Sequence, residues 1–348
     1  MVKTILVPLD GSARAESVLP VARRIARKTG ATLVLVQVVS FLSEYWPAIT
    51  TAHPSLAQAV IETDVAQATA YLEKVAAAPE MAGIAVKTTA QFGQPVPTIL
   101  AVALSYNCDL MVLCSHGSAG MIRWMVGTVA EKIARHATIP VLIVRDETLH
   151  LGDEHSELAQ PLRLLVPLDG SLGATEALGP GAEVLMAMAA PGQKTALHLA
   201  RVCGQRPAER GIPMQHIQDE NALAQARGSL QQTVRQLYEG TLAPIIAAHH
   251  LPVTWSLRVD TDVASALLRI AEQGDDTEGA GVFGGCDLIA ISSHGRSGFQ
   301  RWTLGSITER LLHATRRPIL IVHPPQAAEW KEVLVAGEKR SVNPVMHS

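Results

Sequence analysis

Two short motifs in this sequence carry groups that can hold a phosphorylated ligand. Ser115-His116-Gly117 is followed, after nine residues, by Gly127-Thr128. A glycine lets a turn bring its backbone close to a ligand, and the free N–H groups and positive dipole end of a helix start favour an anion. Upstream, Asp10-Gly11-Ser12 offers a carboxylate, which only accepts hydrogen bonds and therefore suits a ribose hydroxyl or a phosphate-bound Mg²⁺ better than a bare phosphate.

Both motifs occur twice and in the same order. They recur as Asp169-Gly170-Ser171 and as Ser293-His294-Gly295, nine residues, Gly305-Ser306. The second copy holds about 19 more residues between its two motifs, whereas the segments downstream of the histidines stay in register. The chain is therefore predicted to be a tandem repeat of one domain that resembles a nucleotide-binding unit.

Each motif also has a purely structural interpretation. Thr128-Val129-Ala130-Glu131 and Ser306-Ile307-Thr308-Glu309 have the spacing of capping boxes, which stabilise a helix start without any ligand. A cap does not need a glycine ten residues earlier, so the duplicated spacing favours the phosphate interpretation. For Asp10 and Asp169, a role as cap of the following helix remains an alternative.

Length and composition agree with two domains of roughly 150 residues each, because the chain has 348 residues. A net charge of -3 without a basic stripe argues against a nucleic-acid partner. Although 48% of the residues are hydrophobic, no run approaches the ~18 to 20 apolar residues that span a membrane. Pro8-Leu9-Asp10-Gly11 interrupts the first apolar run, which is too short for a signal peptide. We expect a cytoplasmic protein without a membrane partner.

The cysteines and histidines show no metal or catalytic pattern. Cys108 and Cys286 occupy matching positions, and without Cys-x-x-Cys spacing we interpret them as buried hydrophobes. His249-His250 lies in the part of the second copy without counterpart, has no third ligand, and is predicted to be loop. The sequence also lacks a P-loop lysine. His116 and His294 are expected to contact phosphate or orient their loops, because neither belongs to a hydroxyl-His-carboxylate arrangement.

Apolar periodicity predicts alternating strands and helices in each copy. The continuous apolar character of the strands is typical of parallel strands buried on both faces, so we expect two doubly wound parallel sheets of five strands. The predicted strands are 4–9, 31–39, 85–92, 109–114 and 141–144, then 162–168, 195–202, 253–259, 287–292 and 319–322. The predicted helices include 13–28, 57–78, 96–106, 128–136 and 221–238.

The expected organisation is a domain at 1–148, a linker at 149–161, a second domain at 162–325 and a tail at 326–348. The extra length of the second copy includes 274–281, a polar and glycine-rich stretch that we predict to be a flexible surface loop. In the tail, Val333-Leu334-Val335 forms either an edge strand or no regular structure.

In open parallel sheets ligands bind beyond the carboxyl ends of the strands, where Asp10 and Ser115 both fall.

The combined pattern resembles the universal stress protein family in its tandem two-domain form. It consists of Val-Pro-Leu-Asp-Gly-Ser at the start of each copy, Ser-His-Gly-x9-Gly-Ser/Thr near its end, and Pro-Val-Leu-Ile-Val or its equivalent last. The resemblance covers 1–146 and 162–324. It implies an adenine nucleotide alpha hydrolase-like α/β fold with strand order 3-2-1-4-5 and, in the subfamily with the glycine motif, binding of ATP with Mg²⁺ through the phosphates.

The resemblance also implies which residues contact the ligand. In the first copy the adenine and ribose contacts fall on Pro8, Leu9, Asp10, Val38 and Leu113, and the phosphate contacts on His116, Gly117, Gly127, Thr128 and Val129. In the second copy the matching positions are Pro167, Leu168, Asp169, Val202 and Ile291, then His294, Gly295, Gly305, Ser306 and Ile307. Arg296 adds a cation where the first copy has Ser118, so tighter binding is expected in the second copy.

Two features depart from the family pattern or lack a clear role. The ATP-binding form usually has glycine immediately before Ser-His-Gly, whereas this chain has Cys114 and Ser292. A side chain there is expected to crowd the nucleotide at both sites. Arg123 and Arg301 precede matching tryptophans and either fold over a phosphate tail or pack at the surface.

The resulting hypothesis is a tandem universal stress protein that binds ATP as a regulatory ligand in a stress response. Nucleotide occupancy would order the nine-residue loops by a population shift. The alternatives are a nucleotide-free interaction module of the same fold and a slow ATP hydrolase, so enzyme activity stays open. The apolar fifth strands are expected to pair within the chain as an intrachain pseudo-dimer, and further homodimerisation would use other faces. The sequence does not identify a downstream protein partner.

Overall fold

A ten-stranded sheet runs through both halves of the chain in the computed structural model, which describes residues 2–40, 54–115, 126–145, 160–204, 216–278, 281–294 and 304–323. The first half contributes β1 to β5: Thr4–Pro8, Thr32–Val39, Val86–Phe92, Leu110–Cys114 and Val141–Val144. The second half contributes β6 (Leu162–Pro167), β7 (Thr195–Gly204), β8 (Val253–Asp260), β11 (Leu288–Ser292) and β12 (Ile319–Val322). Two further strands, β9 (Asp275–Thr277) and β10 (Gly281–Phe283), form a separate antiparallel ribbon.

The strand order across the sheet is β3-β2-β1-β4-β5-β12-β11-β6-β7-β8. All neighbours within each half are parallel, and each half has the order 3-2-1-4-5. The predicted fold class is confirmed. The halves join where β5 and β12 pair antiparallel, with Leu142 opposite Leu320. Both leucines are fully buried, so the expected pairing of the fifth strands within the chain is present.

Helices cover both faces of this sheet. Side chains alternate along each strand, so that Ile5 and Val7 enter one core layer and Leu6 enters the other. Each layer contains residues of both halves. The helices are α1 to α5 at Ala13–Glu16, Leu19–Thr29, Pro54–Ala76, Pro95–Ser105 and Thr128–His136, and α6 to α11 at Leu172–Thr175, Leu178–Met188, His216–Glu239, Ala243–His249, Val263–Gln273 and Ser306–Ala314.

The helix predicted at 13–28 is two helices. The first ends at Glu16 and the second begins at Leu19, with Pro20 in its first turn. Proline has no N–H to donate and therefore favours the start of a helix over its interior. His249 and His250 also differ from the predicted loop: His249 ends α9, and His250 caps it with a left-handed φ of 47°.

The stretch 274–281 was predicted to be a flexible loop, and this prediction is wrong. It begins the β9–β10 ribbon, in which Asp275 pairs with Phe283. Gly274 has a φ of +90°, and a Cβ there would lie 1.7 Å from the Phe283 carbonyl oxygen, so only glycine fits. The ribbon escaped prediction because its three-residue strands depend on distant partners for their position.

None of the four cysteines forms a disulfide, and Cys108, Cys114 and Cys286 are buried. Burial raises the pKa of the Cys108 thiol to about 11 and also raises that of Cys286, which keeps both thiols protonated and unreactive.

Among the described residues, no helix has the length and apolar character needed to cross a bilayer. The predicted tail and all but the end of the predicted linker lie outside the described residues, so the domain boundaries stay a prediction.

Candidate functional site

A cavity of about 220 Å³ lies at the carboxyl ends of β6 and β11 in the second half. It is lined by the end of β6, by β7, by the end of β11 and by the start of α11. Nine of the residues predicted for the second site surround it: Pro167, Leu168, Asp169, Val202, Ile291, His294, Gly305, Ser306 and Ile307. The remaining two, Gly295 and Arg296, lie outside the described residues.

The cavity combines apolar walls with polar ends. Leu168 and Ile291 are buried side chains on strand ends, and Val263 and Leu267 approach from the first turns of α10. Asp169 and the first residues of α11 supply the polar side. Such a distribution suits a flat apolar ring with a polar extension. Sequence reasoning missed Val263 and Leu267, although their spacing of four on one helix after the third strand was a usable signal.

The aspartate turn has the same hydrogen bonds in both halves. Asp169 Oδ1 accepts from the Ser171 N–H at 2.9 Å and from its hydroxyl at 2.6 Å, while Ser171 Oγ accepts from the Ala174 N–H. Asp10 and Ser12 repeat this arrangement at 3.0 and 2.6 Å. The serine is thus the N-cap of α6 or α1, and the alternative that the aspartate itself caps the helix is wrong.

The starts of α5 and α11 carry no side-chain cap. Their N-cap residues are Gly127 and Gly305, and Thr128 and Ser306 are already the first helical residues. The capping-box interpretation is therefore wrong, because Thr128 and Ser306 stand one position too late in the chain. The Gly305 N–H donates to the Ser293 carbonyl at 2.8 Å, which fixes the helix start against the end of β11. Uncapped N–H groups at a helix start are available to an anion.

His294 presents an unpaired polar atom in the second site. Its Nδ1 lies 2.9 Å from Ser293 Oγ, whereas its buried Nε2 has no hydrogen-bond partner among the described residues. A buried polar atom without a partner costs about 1 to 3 kcal/mol, so such atoms mark places where a partner binds. His294 lines the cavity with other parts of its residue, whereas this Nε2 is buried away from solvent.

The two side chains that replace the family's usual glycine, Ser292 and Cys114, both interact with other residues of the protein. Ser292 donates its hydroxyl to the His294 carbonyl at 3.0 Å, and its own carbonyl accepts from the Thr308 hydroxyl at 2.9 Å. Cys114 Sγ lies 3.8 Å from the Ser17 hydroxyl. Only 4% of Ser292 and 8% of Cys114 is exposed, so each projects little surface into its crevice.

The first half places its site residues at equivalent positions. Since β1 pairs with β4, the strand ends that carry Pro8, Leu9 and Asp10 lie beside the end that carries Leu113. Val38 lies near the end of β2, and Gly127, Thr128 and Val129 begin α5. The Gly127 N–H donates to the Ser115 carbonyl at 2.6 Å, as in the second half. His116, Gly117, Arg123 and Arg301 lie outside the described residues.

The doubly wound sheet, its 3-2-1-4-5 order and the crevice at the strand ends define an α/β protein of the adenine nucleotide alpha hydrolase-like class. The model of the universal stress protein family matches residues 1–145 and 284–323. The chain belongs to this family. The unmatched segment, 146–283, contains much of the second half, including both strands of the β9–β10 ribbon.

Individual relatives match over nearly the whole chain. A universal stress protein of Mycobacterium tuberculosis is 24% identical over 328 residues, which cover 91% of this chain and 96% of the relative. The solved structure of a universal stress protein from Archaeoglobus fulgidus superposes with a TM-score of 0.58 at 19% identity and covers 92% of this chain and 96% of its own. A solved structure from Pseudomonas aeruginosa has a TM-score of 0.57 at 15% identity and covers 98% of each chain. These structures support the fold.

Proposed function

We propose that this protein binds ATP as a regulatory ligand, at the second-half cavity and at the equivalent crevice of the first half. The observation that carries the proposal is the grouping of nine residues, predicted from the family resemblance, around one cavity that has apolar walls and an uncapped helix start. Membership of the universal stress protein family supports it. The same membership supports a role in a cytoplasmic stress response.

The proposed pose follows from the chemistry of the walls. Adenine would lie between Leu168 and Ile291 on one side and Val263 and Leu267 on the other, where apolar groups exclude water from its faces. Asp169 would accept from the ribose hydroxyls. The phosphates would follow the uncapped start of α11, where Gly305 permits close approach, and Mg²⁺ would be held mainly by the phosphates.

A regulatory role fits this site better than catalysis. The Ser293 hydroxyl and His294 Nδ1 form a hydrogen-bonded pair, but no carboxylate among the described residues orients that imidazole. A nucleophile normally needs both a base and a group that positions the base. ATP binding would instead stabilise one arrangement of the crevice and of the segments that follow the Ser-His motifs.

The test is calorimetric titration of the purified protein with ATP, ADP, AMP and cyclic AMP, each with and without Mg²⁺. We expect binding of ATP with Mg²⁺ and a melting temperature that rises with ligand, since saturation at ~100 times the dissociation constant adds roughly 2.7 kcal/mol. Absorbance at 260 nm would reveal nucleotide carried through purification. Absence of binding at millimolar ATP would favour a nucleotide-free interaction module, and steady release of phosphate that Gly305→Val abolishes would favour a slow hydrolase.

A further inference from the structure

A second cavity in the second half lies on the other side of the aspartate turn. Its volume is about 170 Å³, and Leu168, Gly170 and Ser171 form one wall. Helix α8 forms the opposite wall, and Arg201 of β7 lies between them. Leu168 also lines the proposed nucleotide cavity, so the two cavities are separated by one turn of chain. Nothing in the proposed function uses this second cavity.

Arg201 holds its guanidinium directly against Gly170. A Cβ at Gly170 would lie 2.8 Å from both Nη1 and Nη2, which shows how closely the guanidinium approaches, and the φ of +87° favours glycine at this position. The side chain is half-buried, and we find no hydrogen bond or ion pair between it and any other described residue. A partly buried cation without a counter-charge is costly, and its forked donors fit the two oxygens of a carboxylate or phosphate.

The remaining walls add neutral donors and no acid. Ser229, Gln232 and Gln236 of α8 face the cavity with hydroxyl and amide groups. The Thr175 and Thr233 hydroxyls also line it but donate their protons to the Leu172 and Ser229 carbonyls. No aspartate or glutamate belongs to the lining, whereas the adjoining cavity of about 290 Å³ includes Glu176. An anion beside Arg201 would therefore meet no acid in the lining itself, while the Asp169 carboxylate of the same turn accepts hydrogen bonds from Ser171 and lines the nucleotide cavity.

The first half shows that the fold does not require this cation. In the first half the Leu9 N–H donates to the Val36 carbonyl, and in the second half the Leu168 N–H donates to the Ala200 carbonyl. The residues that follow these two acceptors, Gln37 and Arg201, therefore occupy equivalent positions. Gln37 Nε2 would lie 3.7 Å from a Cβ at Gly11, so a neutral amide takes the same place over the same turn. The positive charge is specific to the second half, as expected if it serves a ligand rather than the turn.

We propose that Arg201 forms a binding site for a small anion, a ligand with a phosphate or carboxylate group, separate from the nucleotide crevice. The cavity volume of about 170 Å³ equals that of about six water molecules at ~30 Å³ each, which suits a small acid or a phosphate group with a short substituent. The anion would bind the guanidinium through two oxygens and take further hydrogen bonds from α8. It would also contact the back of the turn that presents Asp169 to the nucleotide crevice.

The experiment follows the Nε–Hε signal of Arg201 by nitrogen-proton NMR of the full chain, with the signal assigned by its absence in Arg201→Gln. Inorganic phosphate and succinate are the two probes, because one carries only the phosphate and the other only the carboxylate chemistry. We expect a saturable shift of this signal with at least one probe at millimolar concentration. The probe that acts distinguishes a phosphorylated from a carboxylated ligand.

Arg201→Gln is the matched control, because it installs the residue that the first half uses. It should fold with an unchanged melting temperature and, by calorimetry, bind the effective probe at least about tenfold more weakly. Arg201→Lys keeps the positive charge but loses the two parallel N–H donors of the guanidinium, so it should bind the effective probe with intermediate affinity. The proposal is overturned if neither probe produces a saturable shift, or if Arg201→Gln binds the effective probe as tightly as the parent. Both measurements are made in the Gly127→Val, Gly305→Val background, so that phosphate binding at the proposed nucleotide sites does not contribute to either result.

Discussion

At the scale of single residues, most polar groups discussed near the proposed nucleotide site form hydrogen bonds with other groups of the protein. Asp169 orients Ser171, and Ser292 bonds to the His294 carbonyl. The His294 Nε2 is different, because no described residue satisfies it. Gly305 is also informative, since its φ of -56° and ψ of 143° are open to any residue. Backbone conformation therefore does not require glycine here, and the proposed approach of a phosphate to the helix start offers a reason for it.

We predict that Gly305→Val removes nucleotide binding from the second site and leaves the fold intact. A branched side chain would occupy the helix start where phosphate approaches, while the extended backbone tolerates valine. Gly127→Val is the matched variant, since Gly127 has a φ of -65° and a ψ of 149° at the equivalent position. Each should lose its own site in calorimetric titration with ATP, and the double variant should lose both. An unchanged stoichiometry in either single variant would show that the site is misplaced.

A second prediction at this scale concerns pH. His198 is fully buried, with Nδ1 2.8 Å from Thr254 Oγ1 and Nε2 3.0 Å from Ser256 Oγ. Burial lowers the pKa of His198 to about 4, against the weaker opposing effect of Asp275. The unfolded chain therefore takes up this proton at higher pH than the folded one. Stability should fall as pH drops from about 6.5 toward about 4.

The measurement is urea unfolding at about pH 7 and about pH 5. Titration of His198 alone should cost the parent about 2 kcal/mol between these values. His198→Gln removes that titration, so its stability should depend less on pH by a similar amount, whatever its absolute stability. The other histidines titrate in both proteins and cancel in the comparison. If parent and variant lose the same free energy of unfolding between these pH values, His198 does not cause the loss of stability at acidic pH.

At the scale of elements, the β9–β10 ribbon depends on contacts outside itself. Phe283 stacks on the His198 ring at 4.1 Å, and Arg258 of β8 donates two hydrogen bonds to Asp275. Burial raises the pKa of Asp275, but hydrogen bonds from Arg258 and Ser256 and the charge of Arg258 outweigh it, so the pKa lies below its ordinary value. The Glu278 N–H donates to the Trp255 carbonyl of β8, which partly covers the edge of the sheet.

We predict that Arg258→Met destabilises the protein by about 2 kcal/mol, because it leaves the Asp275 carboxylate buried with its charge uncompensated. The matched control is Arg227→Met. Arg227 pairs with Glu278 of the same segment, but side-chain exposures of 54% and 38% make this a surface pair worth less than about 1 kcal/mol. Urea unfolding of both variants provides the comparison. Equal effects would mean that Asp275 is not the anchor of the ribbon.

At the scale of the whole molecule, the two halves share one sheet and a nearly symmetric contact. Arg145 donates to the Leu312 carbonyl of α11, and His323, at the equivalent position, bonds to the Ala134 carbonyl of α5 at 2.9 Å. Arg135 bridges Glu131 and Glu309 at 2.9 and 2.5 Å. The two helices that begin at the proposed phosphate sites are therefore joined to each other across the pairing of β5 and β12.

We predict that Leu142→Asp combined with Leu320→Asp separates the halves. These side chains lie opposite each other and are fully buried, so two carboxylates would be desolvated face to face. Small-angle scattering should show an expanded particle and the melting temperature should fall. Leu172→Asp is the control, because 87% of Leu172 is exposed and its replacement should change neither quantity. A double variant with the compact envelope and melting temperature of the parent would contradict this role of the fifth strands.

Local pattern was sufficient for much of the fold. Continuous apolar runs placed the ten main strands within about two residues, and the resemblance to the family supplied the nine predicted residues that line one cavity. This succeeded because period, turn chemistry and the strand ends of a parallel sheet are set by neighbours in the chain. The ligand at those residues stays a prediction.

The sequence by itself determined the element order and the residues that meet at the strand ends. Only the tertiary structure decided that 275–277 pairs with 281–283, that Val263 and Leu267 line the proposed nucleotide cavity, and that Arg201 lies over Gly170. Each of these depends on a partner that no local period specifies. The burial that lowers the pKa of His198, and the contact with Arg258 that lowers the pKa of Asp275, likewise exist only when distant segments pack together.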